Sequence, residues 1–240
     1  MIATASDTLR RCCRACLGPQ GLWACLFLLF VAQLMGPLID SPAVRLITSL
    51  LFSLFLIAGV IQLAQQRGLR ILASLLAVAA IMLRWVGHAL PTPPVIGAGL
   101  IAAMLLMSLL TLIGIDRVFR DDRPVTTERI AGAVAVYLLF GLTWAYLYGL
   151  LDHLLPGAFS LPDVTDAGDP TRTESFTYFS FITLTTLGYG DITPVHPVAR
   201  MCAVVQALFG QLYPATLLAR LVSLEIISRQ TPRPPEAGEP

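Results

Sequence analysis

The feature that most constrains this chain is a series of six apolar stretches, each long enough, at roughly 20 residues or more, for a helix to cross a hydrocarbon layer of about 30 Å. They run over about 21–39, 44–65, 69–90, 95–115, 130–151 and 197–227. A soluble domain would hold about 45–50% apolar and about 25% charged residues, whereas 56% of this 240-residue chain is hydrophobic and 13% is charged. The bilayer is therefore the solvent, and each segment must close its backbone hydrogen bonds within itself. A net charge of +1 gives no reason to expect a nucleic-acid partner.

The breaks between stretches are chemically explicit. Gly36-Pro37 and Ser41-Pro42 end the first stretch, and Pro91-Thr92-Pro93-Pro94 forces a turn after the third. The polar first 20 residues, with Arg10, Arg11 and Arg14, resemble the positive region of a signal peptide. The stretch that follows is a full span in length and no small-x-small cleavage site lies close behind it, so an uncleaved first helix is expected. Cys12, Cys13 and Cys16 cluster beside these arginines, but no histidine or fourth cysteine is near enough to complete a zinc site. Between the fifth and sixth stretches lie a loop over 152–173, with no helix or strand period, and a short helix over about 172–185 that is too short to span. Thr171 and Glu174 have capping-box spacing at its start.

With the N-terminus cytoplasmic, twelve arginines fall inside and Arg45, Arg84, Arg172 and Arg200 fall outside, which obeys the positive-inside rule. An even number of spans returns the C-terminus to the same side. The fourth stretch carries no charge from Val95 to Ile115. Arg117, Arg120 and Arg123 have threefold spacing but sit at its cytoplasmic end beside Asp116, Asp121 and Asp122. A voltage sensor needs such charges inside the membrane, so voltage gating is not expected.

After the short helix comes Thr185-Thr186-Leu187-Gly188-Tyr189-Gly190-Asp191. Glycine at alternate positions lets an extended segment adopt left-handed dihedrals at every second residue, so that consecutive carbonyls all point to one side. Such a row, closed by the Thr186 hydroxyl, is a ladder of oxygen cages able to replace the hydration shell of a monovalent cation. This string resembles the selectivity filter of the potassium channel family, with Leu187 where valine is most familiar, and the resemblance runs from about 176 to 222.

The resemblance implies an all-α membrane protein of six transmembrane helices, with a re-entrant pore helix and selectivity filter between the fifth and sixth. It implies a passive K+ channel in the plasma membrane, a homotetramer with both termini cytoplasmic, since one strand supplies one carbonyl per level. Thr186, Leu187, Gly188, Tyr189 and Gly190 would bind the ion. Tyr178, Phe179, Thr183, Thr185 and Asp191 would support the filter, with Tyr178 and Phe179 standing where the family usually has tryptophans. By that analogy the Tyr178 hydroxyl reaches Asp191, and Thr183 holds the Tyr189 hydroxyl of a neighbouring subunit. Ile182 replaces a buried acid present in some members, and Leu187 is expected to overfill its site.

Tyr189 argues against a non-selective pore, where an acid or another polar residue is common. Gly210 and Pro214 form the expected gating hinge, because proline cannot donate to the carbonyl four residues back. Gln206 and Gln211, polar at membrane depth, are expected to line the pore. His153 and His196 fall on the outer face near its mouth.

The domains so read are a cytoplasmic segment over 1–20, a four-helix transmembrane block over 21–116 and a cytoplasmic linker over 117–129. A pore domain over 130–227 and a disordered tail over 228–240 follow. No cofactor is called for beyond the permeant K+. No paired acids, metal-ligand spacing or nucleophile–base pair lies at membrane depth, so no enzyme is expected.

Overall fold

The computed structural model describes residues 50, 53, 56, 60, 67–90, 92–120, 127–161 and 170–230. The cysteine cluster, the first expected span, most of the second and the tail beyond residue 230 lie outside these residues, whereas 228–230, read as disordered tail, are the last residues of a helix that runs to Gln230. Five helices are described: α1 (Arg67–Ala89), α2 (Pro93–Arg120), α3 (Thr127–Leu154), α4 (Pro170–Leu184) and α5 (Pro197–Gln230). Four of them are long and apolar enough to cross a membrane, over Arg67–Gly87, Pro93–Asp116, Gly132–Leu154 and Pro197–Arg220. At 15 residues α4 extends only about 22 Å and stops short of a full crossing.

Proline sets the joint between the first two helices. Pro93 opens α2, where a missing N–H costs nothing, and Thr92 accepts from Val95 N at 3.0 Å across the turn. One face of α1 is a stripe of small buried residues, Ala73, Ala77 and Ala80, while Ile71, Leu75, Val78 and Met82 are exposed on the other. In lipid, small residues at a helix contact let the backbones approach, and large apolar ones suit the hydrocarbon. Leu56 and Val60, from the second expected span, join the same buried cluster as α1, α2 and α3.

The α2–α3 contact is closer still. A Cβ on Gly114 would lie 2.6 Å from the Val136 Cγ2, so any larger residue there would have to displace Val136. The Thr111 and Thr143 hydroxyls meet at 3.3 Å, and each also donates within its own helix, to Met107 O at 2.7 Å and Leu139 O at 2.9 Å. Below them Val118, Ala133 and Val136 pack with Phe119, Tyr213 and Leu217, joining α2 and α3 to α5.

Three boundaries differ from the sequence reading, each for a local reason. The 117–129 linker is helical as far as Arg120; the proline at position 124, which disfavours helix in the residue before it, comes later. Phe119 therefore reaches Tyr213, edge-on at 6.3 Å, and Arg220 lies 5.3 Å above the Phe119 ring. Second, α3 continues through Asp152 to Leu154. An acid is unfavourable at a helix C-terminus, but Arg172 of α4 neutralises it with a two-pronged pair at 2.5 and 3.0 Å. Third, the loop expected to be without strand contains β1 (Phe159–Ser160), which pairs antiparallel with β2 (Thr193–Pro194).

The Asp152 and Arg172 side chains are 6% and 16% exposed. Removing the cation would leave a buried carboxylate alone, so Arg172→Met should destabilise the fold by about 3 kcal/mol. Adding Asp152→Leu should recover most of the loss, as read from unfolding midpoints in detergent.

Candidate functional site

The short helix α4 is held from three directions by residues its own sequence supplies. Phe176 and Phe179 are buried and enter an aromatic cluster with Phe159 of β1 and Tyr148 of α3. Phe159 lies 5.0 Å from Phe176 and 5.5 Å from Phe179, and Tyr148 lies 5.0 Å from Phe179, all edge-on. Edge-to-face rings at such spacings add about 0.5–1.5 kcal/mol per pair beyond area burial. Phe179 therefore serves the side of α4 turned toward α3. Ile182 and Leu184 are also buried.

At its C-terminus α4 ends in a paired closure. Leu187 N donates to Ile182 O at 2.9 Å and Thr186 N to Thr183 O at 3.0 Å, the arrangement that closes many helices with a left-handed residue just past the end. That residue is usually glycine; here it is Thr186, at φ 60°. A β-branched residue in this region is strained, at a cost of about 1–3 kcal/mol. Its hydroxyl is fixed from the opposite helix, where Gln211 Nε2 of α5 donates to Thr186 Oγ1 at 2.9 Å.

The left-handed pattern then repeats, with φ 55° at Gly188 and 82° at Gly190. Residues 186, 188 and 190 thus alternate with 187 and 189, and glycine composition alone pointed only to 188 and 190. The whole segment from Thr185 to Asp191 is exposed on the single chain. Leu187 is 59% and Tyr189 69% exposed, so within one chain Leu187 overfills nothing. Thr185 Oγ1 turns back onto Phe181 O at 2.7 Å.

Beyond the segment, Asp191 Oδ1 accepts from Ile192 N at 3.0 Å. The Asp191 carboxylate facing Tyr178, more than burial, pushes its phenol up to about 12. Tyr178 and Asp191 thus come together, while Thr183 contributes its carbonyl to the helix end.

The two glutamines part company. Gln211 is exposed beside Thr186, but Gln206 is fully buried and does not line an opening. Its Nε2 donates to Ser180 O at 3.1 Å and Ser180 Oγ at 2.7 Å, and its Oε1 accepts from the Tyr148 hydroxyl at 2.6 Å. Hydropathy marks a polar group at depth but not which side it faces; its spacing of four from Gly210 was the usable signal.

A Cβ on Gly210 would collide with the Leu184 carbonyl oxygen. This glycine is therefore required by close packing, whatever motion it permits, and α5 remains helical through Pro214. Leu184 O accepts from the Tyr137 hydroxyl at 3.1 Å. Beneath this point lies a cavity of about 450 Å³ bordered by Tyr137, Leu184, Gln211, Pro214 and Leu218. At the start of α5, His196 Nδ1 accepts from Val198 N at 3.2 Å and so caps the helix. His153 packs on Gly97 of α2.

A family model described as "Ion channel" matches residues 132–225. Protein LctB of Bacillus caldotenax is 32% identical over 125 residues, covering 52% of this chain and 91% of that protein. Two pore potassium channel c of Oryza sativa subsp. japonica is 36% identical over 101 residues, which are 42% of this chain and 20% of that protein. Protein LctB of Geobacillus stearothermophilus is 34% identical over 82 residues, 34% of this chain and 60% of that protein.

Two outcomes test this geometry. Gly210→Ala should push α5 away from Leu184 and destabilise the protein by about 1–3 kcal/mol, measured by unfolding in detergent. Because the Tyr178 phenol is raised, its neutral form contributes stability that is complete below pH 10 and lost as pH rises through about 12. A tyrosinate absorbance titration of Tyr178→Phe should show one phenol fewer ionising near pH 12 than the wild type does.

Proposed function

The chain belongs to the potassium channel family, a multi-pass membrane ion channel by that membership, and on this basis we propose that it conducts K+ selectively and passively as a homotetramer. The observation that carries the reading is the alternation of left-handed residues at 186, 188 and 190, on an exposed segment that follows a helix too short to span. Alternation of this kind turns successive carbonyls to one side. Four copies around an axis would surround an ion with the oxygens of Thr186, Leu187, Gly188, Tyr189 and Gly190.

In this reading α4 is the re-entrant pore helix and its C-terminal half-charge faces the approaching cation. The exposure of Leu187 and Tyr189, and of Met201, Val204, Leu208 and Leu212 on α5, supports a shared interface. Tyr178, Phe179, Thr183, Thr185 and Asp191 brace the filter, and Gly210 with Pro214 is the hinge of an inner helix. The two unassigned spans complete six, with both termini cytoplasmic in the plasma membrane. The uncharged fourth span favours gating by something other than voltage. K+ is the permeant ion and no cofactor is invoked.

The test is flux from liposomes loaded with a K+ gradient. K+ efflux that Na+ does not support is expected. It should fall at least about tenfold in Gly188→Ala, since a Cβ in the left-handed region costs about 1–2 kcal/mol at each of four filters. Equal K+ and Na+ flux would instead identify a weakly selective cation pore. Tetramers without any flux would leave the segment as an assembly element.

A further inference from the structure

Gln206 is not among the residues that would touch the ion, yet both ends of its buried amide are engaged. It binds the centre of α4 through both Ser180 O and Ser180 Oγ and receives the Tyr148 hydroxyl of α3. Ser180 Oγ in turn donates to Gly141 O of α3 at 2.6 Å. Tyr148, Ser180 and Gln206 are each 0% exposed. One amide thus joins three helices.

The register gives this junction its meaning. Gln206 meets Ser180, and four residues on, Gly210 meets Leu184. The last turn of α4 is therefore matched, turn for turn, to one turn of α5. That turn ends at Leu184, from which the left-handed segment departs. A shift or roll of α4 would move Ile182 and Thr183, whose carbonyls receive Leu187 N and Thr186 N, and with them every carbonyl of the segment.

We propose that Gln206 is a positioning residue for ion selectivity. It holds the last turn of α4 in the one register that lets four copies of the segment match the size of K+. The proposal rests on the reading of the segment as a K+ filter. The amide supplies what an apolar residue cannot: two directional bonds to α4 and one from α3, which fix rotation as well as distance.

A purely structural role and a positioning role are separable. Gln206→Leu leaves the Tyr148 hydroxyl buried without a partner. The double variant Gln206→Leu/Tyr148→Phe removes that defect, so the tetramer's melting temperature should return close to that of the wild type. If Gln206 positions the filter, the K+/Na+ flux ratio in liposomes should stay lowered by about tenfold or more in the double variant.

A double variant with wild-type stability and wild-type ratio would overturn the proposal. Tyr148→Phe alone, which keeps the amide on Ser180, should lower the ratio by about threefold. It gives the same reading if the double variant does not assemble, and an unchanged ratio there would count against the clamp. Wild-type protein that passes K+ and Na+ equally, or neither, would overturn the filter reading itself, and this is seen before any variant is compared.

Discussion

A helix that ends in apolar surroundings leaves its last carbonyls without partners, and the structure around Leu184 is arranged to supply them. Phe181 O receives Thr185 N, Ile182 O receives Leu187 N, Thr183 O receives Thr186 N, and Leu184 O receives the Tyr137 hydroxyl. Each unmet group would cost several kcal/mol where no water is present. The closure requires a left-handed residue at 186, and starting from Thr186 the same handedness recurs at Gly188 and Gly190. The conformation of the exposed segment is thus continuous with the way α4 stops.

From that constraint follows the central place of α3. It supplies Tyr137 to Leu184 O, Gly141 O to Ser180, Tyr148 to Gln206 and Asp152 to Arg172. These residues recur along one side of the helix at intervals near its period, so α4 is tied to α3 from end to end. The opposite side of α3 carries Ala135, Leu139 and Leu142 into the cluster with α1 and α2. Any displacement of the preceding helices therefore reaches α4 through a single rigid element. The lower end of α5 is connected as well, by Tyr213 stacking on Tyr137 at 6.1 Å and donating to Ala133 O at 3.0 Å.

Much of this was legible before any coordinates. Apolar length marked the spans, because a helix must be long enough to cross hydrocarbon; α1, α2, α3 and α5 lie where the stretches are. Alternating glycines marked the segment at Gly188 and Gly190, since only glycine takes left-handed dihedrals freely. Proline marked the start of α2. The sequence misled where a residue's partner is far away in the chain. Gln206 read as pore-lining because polarity at depth has two solutions, water or protein, and composition does not distinguish them. Asp152 read as the start of a loop because its cation lies 20 residues on.

What the sequence by itself determined is therefore local and periodic: apolar stretches long enough to cross a membrane, four of which are such helices among the described residues, and a segment whose glycines permit left-handed backbone. Each of these depends on neighbouring residues or on a transfer energy that sums along the chain. Tertiary structure alone decided that Thr186 is left-handed, that Gly210 is glycine for want of space beside Leu184, and that Gln206 joins three helices. Those outcomes depend on contacts across 25 to 58 positions of sequence, such as Gln211 on Thr186, Gln206 on Ser180 and Tyr148 on Gln206. No run of neighbouring residues encodes which distant backbone will arrive at a given side chain; only the packing of α3, α4 and α5 against one another does.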